Sequence, residues 1–330
     1  MVELGVVDGE SRGPSVGATG YDRTPMAFYL GIDGGGTKTR CALGDETTLL
    51  ATSAAGGSNL IRLGEAVTRD ALHAAVREAC AAAKVSPGGL RAICVGAAGA
   101  AREDVAAAIR RILGELTPAP VQVVGDMVIA LEAAFGSGPG VIAIAGTGSV
   151  VYGRDAAENI ARAGGWGFAI SDEGSGQWIG REAVSAVMRA HDAGQGTDLS
   201  AMVLEEWNLT SLDDLVHAAN ATPPPEFPRL FPVVLQAAEK GDAAAKSLLQ
   251  EAGMRLADLA TMVIRRLVPR PPYAPVAITG SVFRQSPDVR QVFYNHLQTR
   301  FPGLEIRKEP VEPVDGALAL ARKMGSDRVG

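Results

Sequence analysis

The sequence contains no uninterrupted apolar run long enough to cross a bilayer. Basic stretches interleaved with aromatics are missing too, and the 330-residue chain carries a net charge of −6, which argues against a nucleic-acid footprint. There are three cysteines, Cys41, Cys80 and Cys94, and none sits at metal-ligand spacing. Free, buried thiols in a reducing compartment are the simplest account of them. His73, His191, His217 and His296 show no metal spacing either. Residues 1–25 lack the apolar core of a signal peptide and are broken by Glu3, Asp8, Glu10, Arg12, Asp22 and Arg23. Their Gly, Ser and Pro content predicts a mobile leader, with Met26 the expected start of the folded chain.

What is present is a soluble, globular composition, 47% hydrophobic and 21% charged, in a chain long enough for two cores. It is organised around Phe28-Tyr-Leu-Gly-Ile-Asp33-Gly-Gly-Gly-Thr-Lys-Thr-Arg40. An apolar strand ends in Asp33, and Gly34, Gly35 and Gly36 turn the chain into a second strand. Three residues without Cβ let backbone N–H groups converge on an anion. Asp33 offers a hard oxygen suited to Mg²⁺. Taken alone, the run also reads as an ordinary glycine-rich hairpin.

The rest of the chain alters that balance. A third strand is expected at 47–52, a helix over 64–84, a strand at 90–95, a helix over 102–114, a strand at 121–124 and a helix over 127–135. Gly136-Ser-Gly-Pro-Gly140 is a breaker. Beyond it the opening pattern recurs. Val141 to Ala145 is an apolar strand, Gly146-Thr147-Gly148-Ser149 a turn, and Val150 to Gly153 a second strand. This strand–turn–strand repeat implies a duplicated unit. Helices then dominate 197–268, with Asp242 to Leu267 one long helix. Pro275 to Thr279 reads as a strand before Gly280-Ser281, 288–300 as a helix, 305–308 as a strand and 314–323 as the last helix.

Asp33-Gly-Gly-Gly-Thr-Lys-Thr39, Ala145-Gly-Thr-Gly-Ser149 and Ile278-Thr-Gly-Ser281 resemble the two phosphate motifs and the adenosine motif of the sugar kinase, actin and heat-shock ATPase superfamily. Gly165-Trp-Gly167 and Ser171-Asp-Glu-Gly-Ser175 resemble, more narrowly, the N-acetylglucosamine kinase branch of the BadF/BadG/BcrA/BcrD ATPase family. The resemblance implies an α/β, two-lobed, duplicated ribonuclease-H-like (actin-like ATPase) fold with an ATP cleft between lobes. Residues 26–136 would form the first lobe, completed by a C-terminal helix at 313–324, and 137–312 the second, with a helical insertion. It implies an ATP- and Mg²⁺-dependent kinase that phosphorylates a hydroxyl, the 6-OH, of N-acetylglucosamine. Such an enzyme is expected to be a cytoplasmic homodimer acting on a small-molecule sugar, without nucleic-acid or membrane partners.

Carried over by position, Asp33 would help hold Mg²⁺. Gly35, Gly36, Thr37 and Lys38 would line the γ-phosphate, and Gly146, Thr147, Gly148 and Ser149 the β- and γ-phosphates. Gly280 and Ser281 would lie against adenosine, and Asp126 would be the general base. Asn59, Asp126, Thr147, Gly165, Trp166 and Asp172 would contact the sugar. Plainer readings stand beside these: helix caps for Asp126 and Asp172, a core residue for Trp166, a solvated turn for Lys38. Glu173 is a further candidate for the metal shell. Glucosamine and N-acetylmuramate are alternative substrates. An activator ATPase of a 2-hydroxyacyl-CoA dehydratase is a rival reading that requires cluster-binding cysteines. A repressor of the ROK type would require a DNA-binding helix pair, and a non-catalytic binding module would have no use for Asp33 and Asp126.

Overall fold

The computed structural model describes residues 26–326, so the leader expected over 1–25 lies outside the described residues. The chain begins with β1 (Phe28–Gly34), β2 (Lys38–Gly44), β3 (Leu49–Gly56), α1 (Leu60–Ala83), β4 (Leu90–Ala97), α2 (Glu103–Gly114), β5 (Val121–Val124) and α3 (Asp126–Phe135). These strands form one sheet in the order β3-β2-β1-β4-β5. β1 runs antiparallel to β2 and parallel to β4.

Alternation along β1 explains how the sheet is covered. Leu30 and Ile32 point to one face and pack with Leu72, Val76, Ile109 and Ile112 of α1 and α2. Tyr29 points to the other face, which is covered by Ile129 of α3 and by Ala317 and Leu318 near the chain's end. Each fully buried leucine or isoleucine in such a layer contributes about 1.5–3 kcal/mol by leaving water.

The second sheet repeats the plan. β6 (Gly140–Ala145), β7 (Ser149–Arg154) and β8 (Ile160–Gly164) are followed by α4 (Gly176–Asp192), α5 (Asp198–Glu206), α6 (Leu212–Ala219), α7 (Phe231–Glu239) and α8 (Ala243–Leu267). β9 (Val276–Thr279), α9 (Ser281–Gln285), α10 (Pro287–Arg300) and α11 (Pro313–Ser326) complete the chain. The sheet order is β8-β7-β6-β9, with β6 antiparallel to β7 and parallel to β9, as β1 is to β2 and β4. Val141, Ala143 and Ala145 face a large core with Trp178, Leu256, Phe283 and Phe293. Ile142 faces the other way, against Ala130, Leu131 and Ala134 of α3. The helix α3 therefore packs on both sheets. No helix among the described residues is long and apolar enough to cross a membrane.

Several elements differ from their sequence expectation. The helix expected from 64 starts at Leu60, capped by the Asn59 side chain, and Gly64 (φ 76°) breaks it one turn later. The strand expected at 305–308 is a single parallel bridge, Val276 to Ile306. Only two backbone bonds hold it there: Val276 N–H donates to the Glu305 carbonyl at 2.9 Å and Arg307 N–H to that of Val276 at 2.8 Å. β8 has no expected counterpart: its sequence, Ile-Ala-Arg-Ala-Gly, carries only one large apolar residue.

α11 closes onto the first sheet at backbone distance. A Cβ on Gly316 would lie 2.0 Å from the Ile129 carbonyl oxygen, and one on Gly31 would lie 2.2 Å from the Leu318 nitrogen. Gly316→Ala is expected to lower stability by roughly 1–3 kcal/mol through overpacking. Urea unfolding of the purified variant checks this; a midpoint equal to wild type would show that α11 can shift away from α3 freely.

Candidate functional site

The two glycine turns come together where the sheets meet. A Cβ placed on Gly36, in the β1–β2 turn, would lie 3.5 Å from Thr147 Oγ1, in the β6–β7 turn. Each turn is stiffened internally. Gly35 N–H donates to the Lys38 carbonyl at 3.0 Å, and Gly146 N–H to that of Gly148 at 2.9 Å. Thr39, fully buried, donates to the Gly56 carbonyl and pairs with Ser58, each at 2.7 Å, which ties the first turn to the loop before α1. The first N–H groups of α4 hold the second turn: Gly176 donates to the Gly146 carbonyl and Gln177 to that of Thr147. After these bonds, the N–H groups of Gly36, Thr37, Thr147 and Gly148 have no acceptor among the described residues. Backbone donors without partners at facing turns form an anion-binding surface.

The third turn lies behind the second. Gly280 takes φ 105°, and a Cβ there would lie 2.1 Å from the Ala145 carbonyl oxygen. Only glycine tolerates both conditions. Ser281 is exposed at the start of α9, and Lys38 is exposed at the start of β2.

Two carboxylates flank the first turn. Asp33 is the penultimate residue of β1, and its carboxyl is pushed up to about 6, chiefly by burial and next by the Asp126 charge, against the pull of Arg40 and Arg284. Asp126 is raised by burial, opposed by the Met127 N–H it accepts at 2.9 Å and by Arg162. Asp126 is the first residue of α3, and Gly125 occupies the cap position, so Asp126 is not the helix cap. Around Asp33, Glu312 accepts from Arg40 of β2 and pairs with Arg284 of α9 at 3.0 Å. This network links β2 of the first sheet to α9, whose Arg284 also donates to Thr279 at the end of β9. None of these three charged residues carried a signal in the sequence.

The remaining expected contacts gather on the second sheet's side, with Asn59 across from them. Asp172 is 8% exposed, takes φ 73° and accepts the Ser149 N–H at 3.1 Å. It does not cap α4; Ser175 does, accepting from Trp178 N–H. Glu173 Oε2 is buried without a hydrogen-bond partner among the described residues. Gly165 (φ 71°) precedes Trp166, which is 64% exposed and therefore no core residue. The Arg162 guanidinium lies 4.4 Å from the Trp166 ring centroid and donates to the Gly164 and Gly165 carbonyls, which fixes this loop. Asn59 Oδ1 is occupied by Arg62 N–H at 3.1 Å.

Residues 30–321 match the BadF/BadG/BcrA/BcrD ATPase family. The chain belongs to that family. It is similar to an N-acetylmuramic acid/N-acetylglucosamine kinase of Clostridium acetobutylicum, with 30% identity over 90% of this chain and 99% of the relative. It is also similar to an N-acetyl-D-glucosamine kinase of Dictyostelium discoideum, with 29% identity over 89% of this chain and 97% of the relative. The structure of a candidate N-acetylglucosamine kinase from Chromobacterium violaceum aligns with a TM-score of 0.73 and 28% identity, over 90% of this chain and 99% of that one. This BadF/BadG-family chain therefore has the actin-like ATPase fold, and its glycine turns fall within the matched span.

The raised Asp33 carboxyl has a consequence for stability. Folding favours its protonated form, so that contribution is complete below the ordinary value of 3.8 and is lost as pH rises through about 6. Two pK units correspond to up to about 3 kcal/mol. Asp33→Asn is expected to melt higher than wild type at about pH 7.5 and to narrow the drop in melting temperature between about pH 5 and pH 7.5, read without added nucleotide or metal. An identical pH dependence in the two proteins would show that Asp33 titrates normally.

Proposed function

We propose that this protein is an ATP-dependent amino-sugar kinase that transfers the γ-phosphate to the 6-hydroxyl of N-acetylglucosamine. The observation that carries this reading is the pair of facing turns, with four N–H groups unused beside Asp33 and Asp126. The names of the similar proteins support the amino-sugar class. In this reading residues 26–136 with helix 313–324 act as one lobe and 137–312 as the other, with the nucleotide between them.

Phosphoryl transfer needs alignment and charge stabilisation more than covalent help. Gly36, Thr37, Thr147 and Gly148 would direct their N–H groups at the β- and γ-phosphates, with Gly35, Lys38, Gly146 and Ser149 framing the two turns. Gly280 and Ser281 would border the adenosine. Asp126 would accept the proton of the attacking hydroxyl as the oxygen bonds to phosphorus and ADP departs. Burial raises its carboxyl toward the working pH, which suits a general base. Asn59, Gly165, Trp166 and Asp172 would orient the sugar, the exposed indole giving a flat apolar wall for an acetamido methyl.

Among the described residues no cluster of three or more His, Cys, Asp or Glu could hold a metal unaided. Asp33, a hard oxygen ligand left without a direct ion pair, fits Mg²⁺ that arrives with the phosphates. When bound, the ion would neutralise charge on the transferring group. The activator-ATPase reading fits poorly. All three thiols are buried in the first sheet and its helix, and burial pushes Cys41 and Cys94 up to about 12.

A coupled ADP-release assay over N-acetylglucosamine, N-acetylmuramate, glucosamine and glucose tests the reading. N-acetylglucosamine is expected to exceed glucose in kcat/KM by at least about tenfold, roughly 1.4 kcal/mol. Asp126→Asn is expected to lower kcat by about 10²–10⁴-fold with ATP affinity retained. Failure of every sugar would sink the kinase assignment. A kcat for Asp126→Asn within about threefold of wild type would remove Asp126 from proton transfer.

A further inference from the structure

One cation beside the glycine turns has no role in the mechanism above. Arg62 lies in the first turn of α1. Its backbone N–H is held by both the Asn59 side chain and the Asn59 carbonyl, at 3.1 and 3.2 Å. Gly64 then departs from helical geometry, so this turn is set apart from the rest of α1. The guanidinium reaches back over the first glycine turn. A Cβ on Gly36 would lie 3.7 Å from Arg62 Nη1, and the same point is 3.5 Å from Thr147 Oγ1. A guanidinium, a threonine hydroxyl and the unused N–H groups of both turns thus border one small volume.

The partner Arg62 has in the structure sits on the opposite side. Nη2 donates to Glu226 Oε1 at 2.5 Å. Glu226 immediately precedes the 3-10 turn Phe227–Leu230, which is pressed on α4: a Cβ on Gly180 would lie 1.9 Å from the Phe227 carbonyl oxygen. α4 in turn supports the Gly146 and Thr147 carbonyls. The pair therefore spans the mouth between the sheets, level with both turns. Its side chains are 33% and 62% exposed, and one carboxylate oxygen is engaged. An exposed pair of this kind is worth about 0–1 kcal/mol. A phosphate offers the same guanidinium two parallel charge-assisted bonds beside the unused turn N–H groups, against the one oxygen engaged in Glu226, so phosphate is the stronger competitor.

We infer that Arg62 is a phosphate-contacting cation of the transfer reaction, exchanging Glu226 for the γ-phosphate when nucleotide occupies the turns. The inference rests on the kinase reading for its reaction, and on the geometry alone for its anion. The local charge balance favours it. Asp33 and Asp126 make the inner wall acidic, and charge that spreads over the equatorial phosphoryl oxygens needs a cation on the outer side. Glu226 supplies a waiting place that keeps the guanidinium oriented across the opening.

The test uses the full chain with Arg62→Ala, Arg62→Lys and Glu226→Gln. It reads kcat and sugar KM, and by calorimetry the affinities for ADP and for a non-hydrolysable ATP analogue. Arg62→Ala is expected to lower kcat by roughly 10²-fold or more, with sugar KM within about threefold. It should also erase at least about tenfold of the preference for the analogue over ADP. Arg62→Lys should recover part of both, and Glu226→Gln should stay within about threefold of wild type. A kcat for Arg62→Ala close to wild type overturns the inference. So does a Glu226→Gln variant that reproduces Arg62→Ala, since Arg62 would then act only as a latch. A loss confined to N-acetylmuramate would move the guanidinium to the lactyl carboxylate and overturn it as well. If no sugar is phosphorylated but Arg62→Ala still erases the analogue preference, the phosphate contact stands and the sugar reading fails. If that preference is unchanged too, both fail.

Discussion

Two neighbouring, partly buried carboxylates, Asp33 and Asp126, set the terms for everything around them. Asp33 and Asp126 are both driven toward the protonated state by burial, and the charge of the second adds to the burden on the first. Direct ion pairing would have relieved this at the expense of reactivity. Instead the compensating cations stand one remove away. Arg40 and Arg284 are engaged by Glu312, and Arg162 by backbone carbonyls. Neither acid is tied up in a direct ion pair, and the field of the arginines limits the cost of ionising them.

Duplication explains how one chain brings such groups together. Each sheet pairs its first strand antiparallel to the second and parallel to a later one, and each leaves a Gly/Thr turn at the end of that first strand. The copies have diverged in what supports the turn. In the first, Thr39 and Ser58 hold a loop; in the second, the α4 N-terminus and the Asp172 carboxylate hold the turn from behind. Asp172 thereby joins the Ser149 amide to the segment that carries Trp166.

The parts that could be read from the sequence were those with dense local signals. Three glycines after an apolar strand can hardly form anything but a tight turn, and Asp242 to Leu267 repeats its apolar face over many turns. The family resemblance made the ordered set of motifs legible and is supported by the matched span. β8 escaped because its three central residues, Ala-Arg-Ala, hold no apolar run, and only pairing with β7 makes it a strand. Arg62, Glu226, Arg284 and Glu312 escaped for a different reason. None belongs to a local charge pattern or motif, and each finds its partner well outside its own segment. Their meaning arises only from juxtaposition. Asn59, expected to contact the sugar, has its Oδ1 committed to the helix it begins, a capping role its sequence context did not suggest.

The position of α11 bears on how the molecule is made. It covers the face of the first sheet bearing Tyr29, Ala92 and Cys94, and Glu312 just before it joins the arginines beside Asp33. During synthesis that apolar face and its partial cover, Ile129 of α3, emerge early, whereas α11 follows only after the whole second sheet. The N-terminal half therefore cannot finish folding while the ribosome works toward the C-terminus, in contrast to chains whose domains mature in order. One face of the first sheet therefore depends on a segment separated from it by the whole second sheet, and the same late segment brings Glu312 to Arg40 and Arg284.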